Sequence, residues 1–207
     1  ASVTGRLRES HDALAALLAR QPEAKPEVRA WVLSILAEMT ARAGLNDAAE
    51  EHFREALAID PSDHYLLTAY ADWLLDQQRP AQVVKLLARQ QRTDALLLRH
   101  ALALKALNSP DLAPTVEQLR ARFAASRQRG DRVHLREEAR FTRELLGDNQ
   151  TALALARDNW AVQKEVPDLR LLLETARASN DVATVESVRQ WLADSRTEDV
   201  VINRLLR

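Results

Sequence analysis

The sequence contains no cysteine, which excludes disulfides, thiol catalysis and cysteine-ligated metal sites and leaves the compartment open. Glycine occurs only 4 times and proline 7 times in 207 residues, so helix-ending residues are scarce. Abundant Ala, Leu, Arg, Glu and Gln favour helix throughout. No segment alternates with period two for long, and Val200 to Ile202 is too short and isolated to build a sheet. There is no run of about 18 apolar residues, so nothing reads as a transmembrane span. An excess of one charge is also lacking: 29 Lys and Arg nearly cancel 30 Asp and Glu. Composition therefore offers no electrostatic argument for nucleic acid or an anionic membrane, and nucleic acid is not expected as a partner. What is present is an apolar fraction of 46%, ample for a continuous core.

The best-formed stretch runs from Leu33 to Pro61. Leu33, Leu36, Ala37 and Thr40 recur at three- and four-residue steps and share one stripe of a helix. Gly44 ends that helix, because glycine takes the left-handed conformation of a C-cap at little steric cost. Asn46 or Asp47 is expected to cap the next helix. That helix turns Ala49, Phe53, Ala56 and Leu57 inward and Glu50, Glu51, Arg54 and Glu55 outward. Small residues at 37, 49 and 56 let the two backbones approach, and Asp60-Pro61 closes the hairpin. Ser62 or Asp63 is placed to cap the helix after the proline. The order of bulky residue, small crossing residues, glycine turn, Ala…Phe…Ala and proline resembles the tetratricopeptide repeat.

Other segments lie over this one as looser copies. Gly5, Ser10, Leu14, Leu17 and Pro22 reproduce the spacing of Gly44, Ala49, Phe53, Ala56 and Pro61, so 1–24 reads as the second helix of a truncated repeat. A chain that begins inside a repeat is expected to be part of a longer protein, its true N-terminus missing. The best-formed repeat spans 28–61. A degenerate repeat comes next at 63–91, with Leu67, Tyr70, Ala71 and Leu74 inward, a turn at Gln78-Arg79-Pro80, and Val83, Val84, Leu86 and Leu87 on the partner helix. Another spans 93–129, with Leu97, Ala101 and Leu104, then Val116, Leu119 and Phe123. Arg129-Gly130-Asp131 reads as a helix-turn boundary. A further repeat covers 131–166, divided at Gly147-Asp148-Asn149, and 168–207 forms a last helix pair and cap. The turns at Gly5, Gly44, Gln78, Asn108, Gly147 and Asn180 lie 39, 34, 30, 39 and 33 residues apart, the signature of an array. The expected fold class is all-α, an α-α superhelix of antiparallel helix pairs in a TPR-like solenoid.

The stretches AYADWLLDQQRPAQVVKLL, DRVHLREEARF and GDNQTALALARDNWAVQKEVPDLRLLLE make the whole chain similar to the C-terminal part of a family of bacterial tetratricopeptide-repeat proteins with no assigned activity. Members of that family are often exported, so the resemblance implies a periplasmic or envelope setting; a cytoplasmic one stays open.

Catalytic chemistry is not legible. The five histidines, His11, His52, His64, His100 and His134, are scattered along the chain. His134 and Glu138 share a helix face, but one histidine and one carboxylate do not complete a zinc site. Phosphate loops, nucleophile elbows and paired-histidine helix motifs are absent, so no enzyme, cofactor or metal is expected. Of Trp31, Trp73, Trp160 and Trp191, three read as core wedges or half-buried interface residues and Trp31 as lying off the buried stripe.

In stacked helix pairs the first helices line the concave side, and their non-core residues are the binding candidates. These are Trp31, Ser34, Glu38 and Arg42; Tyr65, Thr68, Asp72 and Asp76; Leu98, Leu102 and Lys105; and Arg136, Arg140 and Arg143. The face reads as acidic and aromatic early and basic late, suited to an extended peptide of complementary charge. A clamp for a C-terminal carboxylate is not expected, since the corresponding inner positions hold Ile35, Ala69 and Arg99. The expectation is a non-enzymatic scaffold that takes a protein or peptide partner. The alternative is self-association through a terminal helix face, with the chain a monomer or weak homodimer.

Overall fold

A computed structural model describes residues 6–131 and 135–207, and the described residues are α-helical with no strand. Gly5, Val133 and His134 lie outside them, and so do the expectations that rest on them. The all-α fold class expected from the sequence is the one observed. The chain divides into two compact units, one comprising the residues up to Tyr70 together with Arg189–Arg207, the other Ala71–Val188.

In the first unit, α1 (Leu7–Arg20), α2 (Pro26–Arg42) and α3 (Asn46–Ile59) precede the start of α4 (His64–Asp76). The end of α11 (Val182–Ser195) and α12 (Val200–Leu205) belong to the same unit. Leu33, Leu36, Ala37 and Thr40 on α2 are buried, as are Ala49, Phe53 and Ala56 on α3, so the two stripes read from the sequence meet. Phe53 stacks on Tyr70 with ring centroids 5.0 Å apart. Neither Asn46 nor Asp47 caps α3: its N-cap is Leu45, and no side chain bonds the free amides there. The helix begins immediately after the glycine turn, which leaves both residues inside its first turn. Asp63 does cap α4, its Oδ1 accepting from the Leu66 amide at 3.0 Å.

The second unit continues with α5 (Pro80–Leu87), α6 (Asp94–Ala106), α7 (Leu112–Gln128), α8 (Leu135–Phe141), α9 (Asn149–Val162) and α10 (Val166–Ala178). Its core gathers Leu97, Leu98, Ala101 and Leu102 of α6 with Leu119 and Phe123 of α7 and Phe141 of α8. Phe123 and Phe141 lie 5.2 Å apart, ring to ring.

Five inter-helix turns share one backbone device. After α2, Gly44 (φ 78°) donates to Ala41 O and Leu45 donates to Thr40 O, the two reverse bonds of a Schellman motif. The same pair recurs with Gln78 and Arg79, Asn108 and Ser109, Gly130 and Asp131, and Asn180 and Asp181. Gln78, Asn108 and Asn180 take φ of 57°, 51° and 55° without being glycine. The turn at Gly147 is closed differently. Thr142–Leu146 is a π-helical turn, and the Gly147 and Asp148 amides both reach back to Thr142 O. One extra residue is thus accommodated between Ala139 and the turn, which the repeat pattern did not foretell.

Candidate functional site

The candidate residues of the first unit fall into three environments. Trp31 on α2 and Tyr65 on α4 stand out, 60% and 56% exposed. Each lies thirteen residues before the left-handed residue that ends its helix, Gly44 or Gln78, so they occupy equivalent positions. Ser34, expected on the open face, is buried and donates its hydroxyl to Ala30 O at 2.8 Å, a bond that satisfies it inside its own helix. Thr68 does the same toward His64 O at 2.7 Å. Glu38 is half-buried on α2. Arg42 is occupied: its Nη2 and Nε donate to the Glu198 carbonyl at 2.9 and 3.3 Å. Burial pushes the Arg42 guanidinium below its ordinary pKa, although Asp199, Glu38 and Glu198 oppose that shift.

In the second unit the aliphatic candidates move to the core. Leu98 and Leu102 are buried in the cluster around Phe123, not on an open face. The reason lies in α6, where every residue from Leu96 to Leu104 is buried. A helix packed on all sides has no open stripe for leucine to occupy. Lys105 is exposed and donates to the Glu144 carbonyl.

The charged candidates meet one another. Asp72 accepts from Arg99 Nη2 at 2.8 Å and Nε at 3.1 Å, and from Arg140 Nη1 at 2.5 Å. Arg140 Nε also donates to Glu144 Oε1 at 3.3 Å. Asp76 receives a two-pronged grip from Arg170, at 2.6 and 2.7 Å, while Arg170 Nε holds Glu174 at 2.8 Å. Arg143 bonds Glu174 at 2.7 Å and Glu144 at 3.0 Å. Arg136 bonds Glu165 at 3.1 Å and Asp168 at 3.3 Å. Such forked contacts to charged acceptors are the stronger class of hydrogen bond.

The sequence reading missed Arg99, Glu137, Glu144, Glu165, Asp168, Arg170 and Glu174 as members of this network. A signal existed. Asp72 and Glu174 both lie six residues before a left-handed turn residue, and Arg140 lies seven before Gly147, where the π-turn adds one. Aligning the helices on their turns would have placed acid and arginine at matching heights. With those members counted, five guanidiniums face seven carboxylates: Arg99, Arg136, Arg140, Arg143 and Arg170 against Asp72, Asp76, Glu137, Glu144, Glu165, Asp168 and Glu174. The arginines of the late part of the face are therefore matched by carboxylates.

Electrostatics follow the geometry. Burial drives the Asp72 pKa up, but the charges of Arg140 and Arg99 outweigh it and hold the carboxyl far below its usual range. Burial of Arg140 and Arg170 is likewise outweighed, by Asp72 and Glu144 for the first and by Asp76 and Glu174 for the second, and both guanidiniums are held more firmly charged. Asp168 is different. Its burial dominates over Arg136 and Asn159 and raises its pKa. The cleft over Asp72, Arg140 and Arg170 measures about 60 Å³. Pockets for drug-sized ligands run to roughly 300–1,000 Å³. Among the described residues no group of three or more His, Asp or Glu is placed to hold a metal ion, and no helix is long and apolar enough to cross a membrane.

Repeated helix pairs of this kind, closed by a common turn, define a helical-repeat protein. The profile of the tetratricopeptide repeat matches residues 4–113, and the chain belongs to that family. Searches of curated proteins and of solved structures return no match. Tetratricopeptide repeats are in general protein–protein interaction modules and are typically non-enzymatic.

Proposed function

We propose that the protein is a non-enzymatic scaffold that binds a peptide or partner helix on the face of its first helices, with Trp31 and Tyr65 as the anchors. The observation that carries this reading is the exposure of two large aromatic rings at equivalent positions of α2 and α4, within one compact unit. Aromatic side chains supply much of the binding energy at protein interfaces, because each buries a large apolar area at a small entropic cost. The charged candidates Asp72, Asp76, Arg136, Arg140 and Arg143 support it in a lesser way. Each already has an ion-pair partner, so a ligand carboxylate gains little from them unless it exchanges for Glu144, Glu165 or Glu174.

The test is selection of peptides from a displayed library on the full chain, followed by titration against Trp31→Ala and Tyr65→Ala. Either substitution is expected to weaken selected peptides by tenfold or more, while Arg140→Glu changes them less. Peptides that bind both alanine variants as well as the parent chain would refute the anchors.

A further inference from the structure

Helix α11 ends at Ser195, and the chain then reverses at Arg196, whose φ is 54°. That is a conformation L-residues adopt only at a cost. Beyond it Asp199 is extended, with φ −160°, and α12 begins at Val200. This short passage lies across the end of α2. Arg42 gives both Nη2 and Nε to the Glu198 carbonyl and sits 3.9 Å from Asp199 Oδ2. The Asp199 carboxylate meanwhile caps α12, accepting from the Val201 and Ile202 amides at 2.9 and 3.0 Å. Val200 lies over Gly44, where a side-chain carbon would meet Val200 Cγ1 at 3.4 Å, in ordinary van der Waals contact. Ile202 is wholly buried, and Thr197 and Asp199 nearly so.

Two features separate this contact from ordinary helix packing. First, the hold on α2 reads a main-chain carbonyl, an acidic helix cap and a β-branched side chain, and none of these is peculiar to residues 198–202. Any segment that offers an acidic residue followed by aliphatic ones can present the same groups. Second, the arginine that makes the contact shares α2 with Trp31 and Glu38, on the stripe expected to face a partner.

We propose that the end of α2 around Arg42 and Gly44 is a docking site for an acidic–aliphatic segment of the type Glu-Asp-Val-Val-Ile, filled here by the chain's own residues 198–202, which an external partner of the same chemistry must displace. This deepens the scaffold reading and rests on it, since it names the kind of segment the first-helix face receives. The strained turn at Arg196 is the hinge about which the resident segment leaves. Arg42 is the point of exchange, losing one carbonyl and carboxylate and gaining another.

A fluorescein-labelled peptide spanning residues 196–207 tests this by anisotropy against the full chain. In a full-length variant carrying Asp199→Lys and Ile202→Asp the resident segment loses its cap and its buried side chain. The peptide is expected to bind that variant at least tenfold more tightly than the parent, and adding Arg42→Glu is expected to abolish the gain. Equal binding to parent and variant, or binding indifferent to Arg42→Glu, overturns the proposal. So does loss of the variant's helical far-UV signal, which would make the segment part of the fold rather than an occupant. Hydrogen exchange on the parent chain gives an independent reading: the Val201 and Ile202 amides should exchange at least a hundredfold faster than that of Leu36, and equal rates overturn the idea. Library peptides that depend on Trp31 and Tyr65 are measured separately, so failure of this proposal is distinguished from failure of the scaffold reading.

Discussion

Replacing Asp72 by Asn asks how much the charge network contributes to stability. Asp72 holds Arg99, whose side chain is only 4% exposed, and Arg140. The substitution keeps the shape and removes the charge. Arg99 would retain Glu137 at 3.5 Å and the Ala95 carbonyl, and Arg140 would retain Glu144 at 3.3 Å. Removing one partner of a buried ion pair costs about 3–5 kcal/mol. Because the Asp72 side chain is 30% exposed and both arginines keep a second acceptor, the low end applies, ~3 kcal/mol. Urea unfolding should show a lower midpoint with an unchanged slope, and the melting temperature should fall by about 6–12 °C. Asp72→Asn with Arg140→Met in a double-mutant cycle should show coupling of about 1–2 kcal/mol. Acid titration supplies the sign. The Asp72 pKa is depressed in the folded protein, so its contribution is complete above the unfolded value of about 3.9 and is lost as pH falls, by about 1.4 kcal/mol per unit. The gap between parent and variant should therefore narrow from pH 5 to pH 3. A loss below about 1 kcal/mol at pH 7 would refute the reasoning and class these contacts with solvated surface pairs.

Three further outcomes are expected. Gln78→Gly should stabilise the protein by about 1 kcal/mol in denaturant unfolding, because it relieves a left-handed L-residue at some entropic cost; Asn108→Gly should gain less, since Asn tolerates that region better. Leu98→Ala should cost about 3–4 kcal/mol by the same measurement and leave peptide affinity unchanged, as befits a core residue and not a contact. Burial pushes the His100 pKa below its ordinary value against the pull of Asp111, so the unfolded state binds the extra proton first and stability falls as pH drops below about 6.5. His100→Gln should flatten the stability profile between pH 7 and pH 5.

The hairpin from Leu33 to Pro61 was legible because its information is periodic and local: an apolar stripe, small crossing residues and a glycine stop all lie within one helix pair. The turns at Gln78, Asn108 and Asn180 were legible for a related reason, since breaker residues interrupt the stripe wherever the backbone reverses. Leu98 and Leu102 were misplaced because α6 is buried on every side from Leu96 to Leu104, Arg99 and His100 included, so its many leucines mark no single inward stripe. The arginine–carboxylate network was hidden for a different reason. Asp72 and Arg140 are 68 residues apart, and each alone reads as an exposed charge on a first helix. Their pairing depends on the stacking of successive helices, which a single-helix pattern does not encode. The π-turn at Thr142–Leu146 shifted the register by one residue and obscured the alignment that would have brought Arg140 level with Asp72.

The shared turn also bears on how such a chain diverges. Its two reverse bonds join amides to carbonyls, so this closure is indifferent to most side chains and asks only that one residue accept a positive φ. Glycine, asparagine and even glutamine meet that demand here. Sequence can then drift within a hairpin while its geometry persists. The tetratricopeptide profile stops at residue 113, yet the same closure is made at Gly130 and again at Asn180. Recognisable ancestry fades along this chain sooner than the hairpins do.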